Sequence, residues 1–175
     1  MTKGLLFLLF TANFLLSSQC NEKELQGDPK PQKNAKELLI EENQRFVRQE
    51  ARDIDNYIKR KDLDMLNSGT GLRYALEKTG KGETVRPGQV AVINYNVSLL
   101  NGTLCYSTDS TGAEEFLVEM DDVESGLHEG IQFMRVGDKG KFIIPSYLAH
   151  GIAGDRQKIP MRSPIIYDIE LISIK

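Results

Sequence analysis

The chain has 175 residues, 40% of them hydrophobic and 27% charged, and a formal net charge of −3 at pH 7. That is enough apolar material for one modest core with an appendage, and no stretch is basic enough to track a polyanion, so nucleic acid is excluded as an expected partner. Cys20 and Cys105 are the only cysteines, too few for the disulfide framework of a small secreted scaffold.

The first twenty residues read as a targeting segment. Lys3 supplies a positive start, and residues 5–16 form an apolar run too short to span a bilayer comfortably but suited to a signal-peptide core. The segment ends Leu16-Ser17-Ser18-Gln19-Cys20, which resembles a bacterial lipoprotein signal, where the cysteine is acylated (palmitate among the chains) and becomes the mature N-terminus. Gln19 departs from the small residue usual there, and a general secretory signal cut elsewhere is the alternative. Acyl chains contribute about 0.8 kcal/mol per buried methylene, so several on Cys20 would hold the protein at a membrane surface.

Residues 21–33 are polar, with Gly27, Pro29 and Pro31, and read as a tether. Residues 34–61 contain no Gly or Pro and carry Leu38, Leu39, Phe46, Val47, Ile54, Tyr57 and Ile58 among charges; Asn34 with Glu37 has the spacing of a capping box. This predicts an amphipathic helical arm, residues 34–70 with its exit. Glu42, Glu50 and Lys61 break its stripe, too often for a sustained coiled coil. A spacer, or a helix leaning on the main domain, is the leading role; self-association through the arm is the alternative.

The main domain is expected from 71 to 175. Leu72, Tyr74 and Leu76 alternate as a strand, and residues 80–88 with Pro87 form a loop. Ala91, Ile93, Tyr95, Val97 and Leu99 share one face of a long strand that turns at Asn101-Gly102. Return strands are read at 103–107 and 114–118. Leu127, Ile131 and Met134 then fall at helical spacing, with Gly130 leaving a gap where another backbone could approach. Val136-Gly137-Asp138 turns into a strand at 139–145, a long loop covers 146–164, and 165–174 is the last strand. The fold class is α+β, an antiparallel, half-barrel-like sheet wrapped on one short helix and preceded by the N-terminal helix. Asp168 and Glu170 alternating with Tyr167, Ile169 and Leu171 leave the outer face wet.

Tyr95, the segment Val123-Glu124-Ser125-Gly126-Leu127, the loop Tyr147-Leu148-Ala149-His150-Gly151, and Ile165-Ile166-Tyr167-Asp168 stand in an order and spacing that resembles the FK506-binding-protein (FKBP) type of peptidyl-prolyl isomerase. With the leader and arm, the chain looks most like the gliding-motility-associated lipoprotein isomerases of the Bacteroidota. The resemblance implies catalytic positions at Tyr95, Tyr106, Phe116 and Tyr167, and substrate-binding positions at Cys105, Val123, Glu124, Leu127, His150 and Ile159. It implies that the backbone N–H of Glu124 donates to a substrate carbonyl. It implies no cofactor and no metal, and as partners proline-containing segments of exported polypeptides at a membrane reached through the lipid anchor, facing the periplasm.

Four positions depart from the family pattern. Cys105 replaces an aromatic, Tyr106 an aspartate, Leu127 a tryptophan, and His150 a tyrosine whose hydroxyl contacts the peptide. Tyr106 offers a hydroxyl where a carboxylate is lost, and a neutral imidazole at His150 still donates through one ring nitrogen. A proline-binding module without catalysis and a structural lipoprotein therefore stand as alternatives to an isomerase. Glu119, Asp121, Asp122 and Glu124 tempt a calcium reading, but an exposed acidic loop is the simpler one.

Overall fold

The computed structural model describes residues 34–78 and 80–175; the leader, Cys20 and the tether lie outside them. Helix α1 spans Ala35–Arg60. It starts where the capping box predicts: the Asn34 carbonyl oxygen of the side chain accepts from the Glu37 N–H at 2.9 Å, and the Glu37 carboxylate accepts from the Asn34 N–H at 3.1 Å. Lys59 and Arg60 in its last turn suit the negative end of the helix dipole.

Seven strands follow, β1 (Leu66–Asn67), β2 (Arg73–Glu77), β3 (Val90–Leu99), β4 (Leu104–Ser107), β5 (Glu114–Leu117), β6 (Lys139–Ile144) and β7 (Ile165–Ile174). They form one antiparallel sheet in the order β1-β2-β6-β7-β3-β4, with β5 also on β3. The two-residue β1, in the exit of the arm, pairs Leu66 with Tyr74 and Asn67 with Arg73; two residues carry no period from which to infer it. β3 does most to shape the sheet. Val90 to Ile93 pair with β5 and Asn96 to Ser98 with β4, so two strands share one of its edges. Register shifts at Val92/Ile93 and Val97/Ser98 add local twist.

The inner face carries Ala91, Ile93 and Val97 of β3, Phe142 and Ile144 of β6, and Tyr167, Ile169 and Leu171 of β7, all buried. Helix α2, Ser125–Ile131, packs across it. The helix is shorter than the spacing predicts. Met134 lies past the end, in a turn closed by its N–H on the Ile131 carbonyl at 3.0 Å, and is buried all the same. The gap at Gly130 is filled by the Phe142 ring and not by a backbone: a Cβ there would stand 2.8 Å from the ring. Gly126 is tighter still, at 2.3 Å from an Ile144 methyl. Both glycines let α2 lie directly on β6.

The outer face is only partly wet. Lys139 faces Glu170 at 3.7 Å and Lys141 pairs with Asp168. At the other end Ile143 and Ile166 point outward and are covered by α1, whose Ile54 is 1% exposed. The unbroken runs Phe142-Ile143-Ile144 and Ile165-Ile166-Tyr167 mark strands buried on both faces. The arm thus leans on the sheet, helped by Asp55 bonded to Arg73 at 3.0 Å and the Arg162 guanidinium 4.7 Å from the Phe46 ring centroid. Leu38, Leu39 and Ile40, nearer its start, are exposed. Among the described residues no helix is long and apolar enough to cross a membrane.

Candidate functional site

The ten positions taken from the sequence gather where α2 meets the inner face. Cys105 (β4), Phe116 (β5), Leu127 (α2), Ile159 (the long loop) and Tyr167 (β7) belong to one buried cluster, none more than 5% exposed, with Tyr95, Tyr106 and Val123 half-buried against it. The Tyr95 and Tyr167 ring centroids stand 5.4 Å apart with planes tilted by 54°, and Phe116 tilts against His128 at 5.6 Å. These side chains pack on one another as the floor of an apolar cup.

Around that apolar floor runs a polar rim built from three phenol–carboxylate pairs. Tyr95 donates to Glu114 at 2.9 Å, Tyr106 to Asp155, and Tyr167 to both oxygens of Glu124 at 3.2 and 3.1 Å. Burial, and then the bond to Glu114, pushes the Tyr95 hydroxyl well up. Burial and the Glu124 charge do the same to Tyr167. Tyr106 is pushed up to about 12, chiefly by its bond to Asp155. For Asp155 burial works upward, but the Tyr106 hydroxyl, the N–H groups of Gln157 and Ile159 and nearby His150 outweigh it and hold the carboxyl at about 2. The three hydroxyls therefore remain neutral donors across the physiological range.

Glu124 sits at the N-cap of α2 without capping it. Its Oε1 instead lies 3.0 Å from Nε2 of His150, so the loop histidine has a carboxylate partner inside the cup. Asp155 and Lys158 were not legible as site residues. Asp155 places a carboxylate beside Tyr106, and its Oδ1 also accepts from the Gln157 and Ile159 N–H groups, each at 2.8 Å. Lys158 donates to the Cys105 carbonyl at 2.7 Å and lies 4.8 Å from the Tyr106 ring centroid. The only signal for Asp155 was its turn-forming tendency in an irregular loop.

The acidic loop does not converge. Asp121 accepts from the Leu117 N–H at 2.6 Å, Glu119 from Gln132 at 2.7 Å, and Glu124 turns into the cup. Among the described residues no three His, Cys, Asp or Glu side chains are grouped to hold a metal ion. His128 braces the loop, its Nδ1 accepting from the Glu119 N–H at 2.9 Å while Nε2 faces the Asp121 carbonyl at 3.0 Å.

Comparison with known proteins gives the family. The family model described as FKBP-type peptidyl-prolyl cis-trans isomerase matches residues 81–172, a span that holds all ten positions. The chain belongs to that family. It is 34% identical to FKBP-type peptidyl-prolyl cis-trans isomerase FkpA of Escherichia coli (strain K12) over 115 residues, 66% of this chain and 42% of that protein. FkpA of Buchnera aphidicola subsp. Acyrthosiphon pisum is 30% identical over 166 residues, 94% of this chain and 67% of that protein. The crystal structure of FkpA from Escherichia coli superposes with a TM-score of 0.65 at 29% identity, covering 78% of this chain and 64% of that one. The chain thus spans less than half the length of its Escherichia coli relative.

Proposed function

We propose that the protein is a peptidyl-prolyl cis-trans isomerase that assists folding of exported polypeptides at the cell envelope, acting on X-Pro bonds in extended segments. Rotating the bond abolishes amide resonance against a barrier of about 18–20 kcal/mol, and the tertiary amide of X-Pro makes both isomers accessible. The twisted amide has lost charge separation between oxygen and nitrogen. A dry aromatic surface therefore favours it over the planar ground state, with no nucleophile or metal. The observation that carries the reading is the cluster of Tyr95, Phe116 and Tyr167 at the end of α2 in a chain of this family. Val123, Leu127, Cys105 and Ile159 line the same region, the Glu124 N–H is the donor to a substrate carbonyl, and Tyr106 and His150 supply polar contacts.

The chain divides, on this reading, into a leader (1–20), a tether (21–33), the helical arm (34–70) and the isomerase domain (71–175). Cys20 carries the lipid, which holds the protein on a membrane facing the periplasm, in the manner of the gliding-motility-associated lipoproteins. Exposed Leu38, Leu39 and Ile40 are where the arm would self-associate. A second reading, a proline-peptide binder without catalysis, is favoured by the four departures from the family pattern at Cys105, Tyr106, Leu127 and His150.

A protease-free isomerisation assay by exchange NMR on a short Leu-Pro peptide tests the first reading. Acceleration above the spontaneous rate is expected, falling about tenfold or more, 1.36 kcal/mol per factor of ten, in Tyr95→Phe and Phe116→Leu. Binding without acceleration supports the second reading, and neither binding nor acceleration rejects both.

A further inference from the structure

We propose that Glu50 of the arm is a positioning residue for the cup: through Ser146 it sets a short 3-10 turn from which the His150 loop and the first turn of α2 are both held. The proposal rests on the isomerase reading above and adds a residue that neither the sequence pattern nor the family resemblance assigns to the site.

Glu50 is 4% exposed, in the half of α1 that lies on the domain. One turn further on, Ile54 packs on Ile143 and Ile166 in the ordinary way of an apolar stripe. Glu50 interrupts that stripe with a carboxylate whose Oε1 accepts from the Ser146 N–H at 2.9 Å, a contact spanning 96 residues, while Oε2 has no hydrogen-bond partner. Burial pushes its carboxyl pKa upward, with the Asp53 charge adding to it, and the N–H and hydroxyl of Ser146 pull only partly the other way.

The need for that contact is local. The 3-10 turn Ser146–Leu148 follows Pro145, which has no side chain able to cap it. The first N–H of the turn therefore lacks a nearby acceptor, and Glu50 provides one from another element. The turn then fixes two things. The Ser146 carbonyl accepts from the N–H groups of Ala149 at 3.0 Å and Gly151 at 2.7 Å, which flank His150. The Leu148 carbonyl accepts from the Ser125 hydroxyl at 3.2 Å, and a Cβ on Gly126 would sit 3.2 Å from that same carbonyl. A displaced Ser146 thus moves both ends of the 3.0 Å contact between His150 and Glu124.

The test uses the full chain and compares E50Q, E50L and E50A with the wild type. Readouts are kcat/KM on a Leu-Pro peptide, the Ser146 amide and His150 ring resonances by 15N NMR, and thermal melting. E50Q keeps the acceptor oxygen and is expected within twofold of wild type. E50L orphans the buried Ser146 N–H but relieves the buried carboxylate and suits the apolar interface, so it is expected to melt within a few degrees of wild type, yet lose about tenfold in kcat/KM, with both resonances shifted. E50A takes its place if E50L does not fold. Wild-type resonances and rate in E50L, or damage by E50Q equal to that of E50L, overturn the proposal. If the wild type itself shows no catalysis, the isomerase reading fails alone, and the Ser146 and His150 resonances still decide whether Glu50 positions the loop.

Discussion

Glu124 Oε1 lies 3.0 Å from His150 Nε2, and both Glu124 oxygens accept from the Tyr167 hydroxyl, at 3.2 and 3.1 Å. One carboxylate thus ties the start of α2 to the long loop and to the last strand, beside the buried rings where a proline would be seated. On the proposed reading, a prolyl ring seated against Tyr167 and the His150 loop competes with part of this arrangement.

Glu124→Ala is therefore expected to bind a proline peptide more tightly. A hydrogen bond to a charged group contributes about 1.5–3 kcal/mol net, so losing the need to break one corresponds to a gain in affinity of roughly tenfold to a hundredfold. The same change leaves the buried Tyr167 hydroxyl without its acceptor, at a cost of about 1–3 kcal/mol in stability. Calorimetric titration with a Leu-Pro peptide and a thermal melt read the two effects separately. Unchanged or weakened binding rules out a latch at Glu124.

The Tyr106–Asp155 pair gives two opposite pH signatures. Burial disfavours the Asp155 carboxylate, but its hydrogen bonds from Tyr106, Gln157 and Ile159 hold the pKa at about 2, below the ordinary aspartate range. A depressed folded-state pKa means stability present above about pH 4 and lost as pH falls toward 2. Solvent screening at this partly exposed side chain limits the contribution to about 1 kcal/mol. Tyr106, pushed up to about 12 by its bond to Asp155, contributes below about pH 10, and that contribution is lost as pH rises through about 12. In Asp155→Asn the acid-side loss is expected to vanish, and the Tyr106 phenolate to appear nearer pH 10. Urea melts between pH 7 and 2.5, with phenolate absorbance at 295 nm, check both arms. A variant whose acid-side profile runs parallel to wild type would falsify the assignment of the low pKa to this pair.

What could be read from the sequence was what repeats or caps locally. Asn34 with Glu37 marked the start of α1, Asn101-Gly102 marked the turn after β3, and the alternation from Ala91 to Leu99 marked the strand that two neighbours share. The alternation around Tyr95 and Tyr167 and the helical spacing of Leu127 followed from the same periods, whereas the place of Phe116 came from the family resemblance alone. What escaped depended on contacts between distant segments. Asp155 and Lys158 lie in a loop without period, and only the fold sets them against Tyr106. Glu50 read as a flaw in the stripe of α1 because its partner, Ser146, is 96 residues away. The side-chain role of Glu124 was hidden for a similar reason: the resemblance implied only a backbone donor, while the carboxylate meets Tyr167 and His150 from elsewhere in the chain.

The arm's attachment gives the last prediction. Ile54, 1% exposed, is the α1 side chain set most deeply against the outer face, between Ile143 and Ile166, with Tyr57, Ile58, Met65 and Leu100 around it. Truncating such a residue costs about 2–5 kcal/mol through lost burial and the cavity left behind. This small cluster is separate from the main core on the inner face, so the cost is expected to fall on docking of the arm before it falls on the sheet. In Ile54→Ala the amides of α1 are expected to exchange with solvent faster by a hundredfold or more, while those of β3 and β7 keep their protection. Glu50 leaves with the arm, so Ser146 loses its acceptor and the rate on a Leu-Pro peptide is expected to drop as in E50L. Equal loss of protection in α1 and in β3 would mean that arm and sheet unfold as one unit, and full protection throughout would mean that Ile54 does not hold the arm.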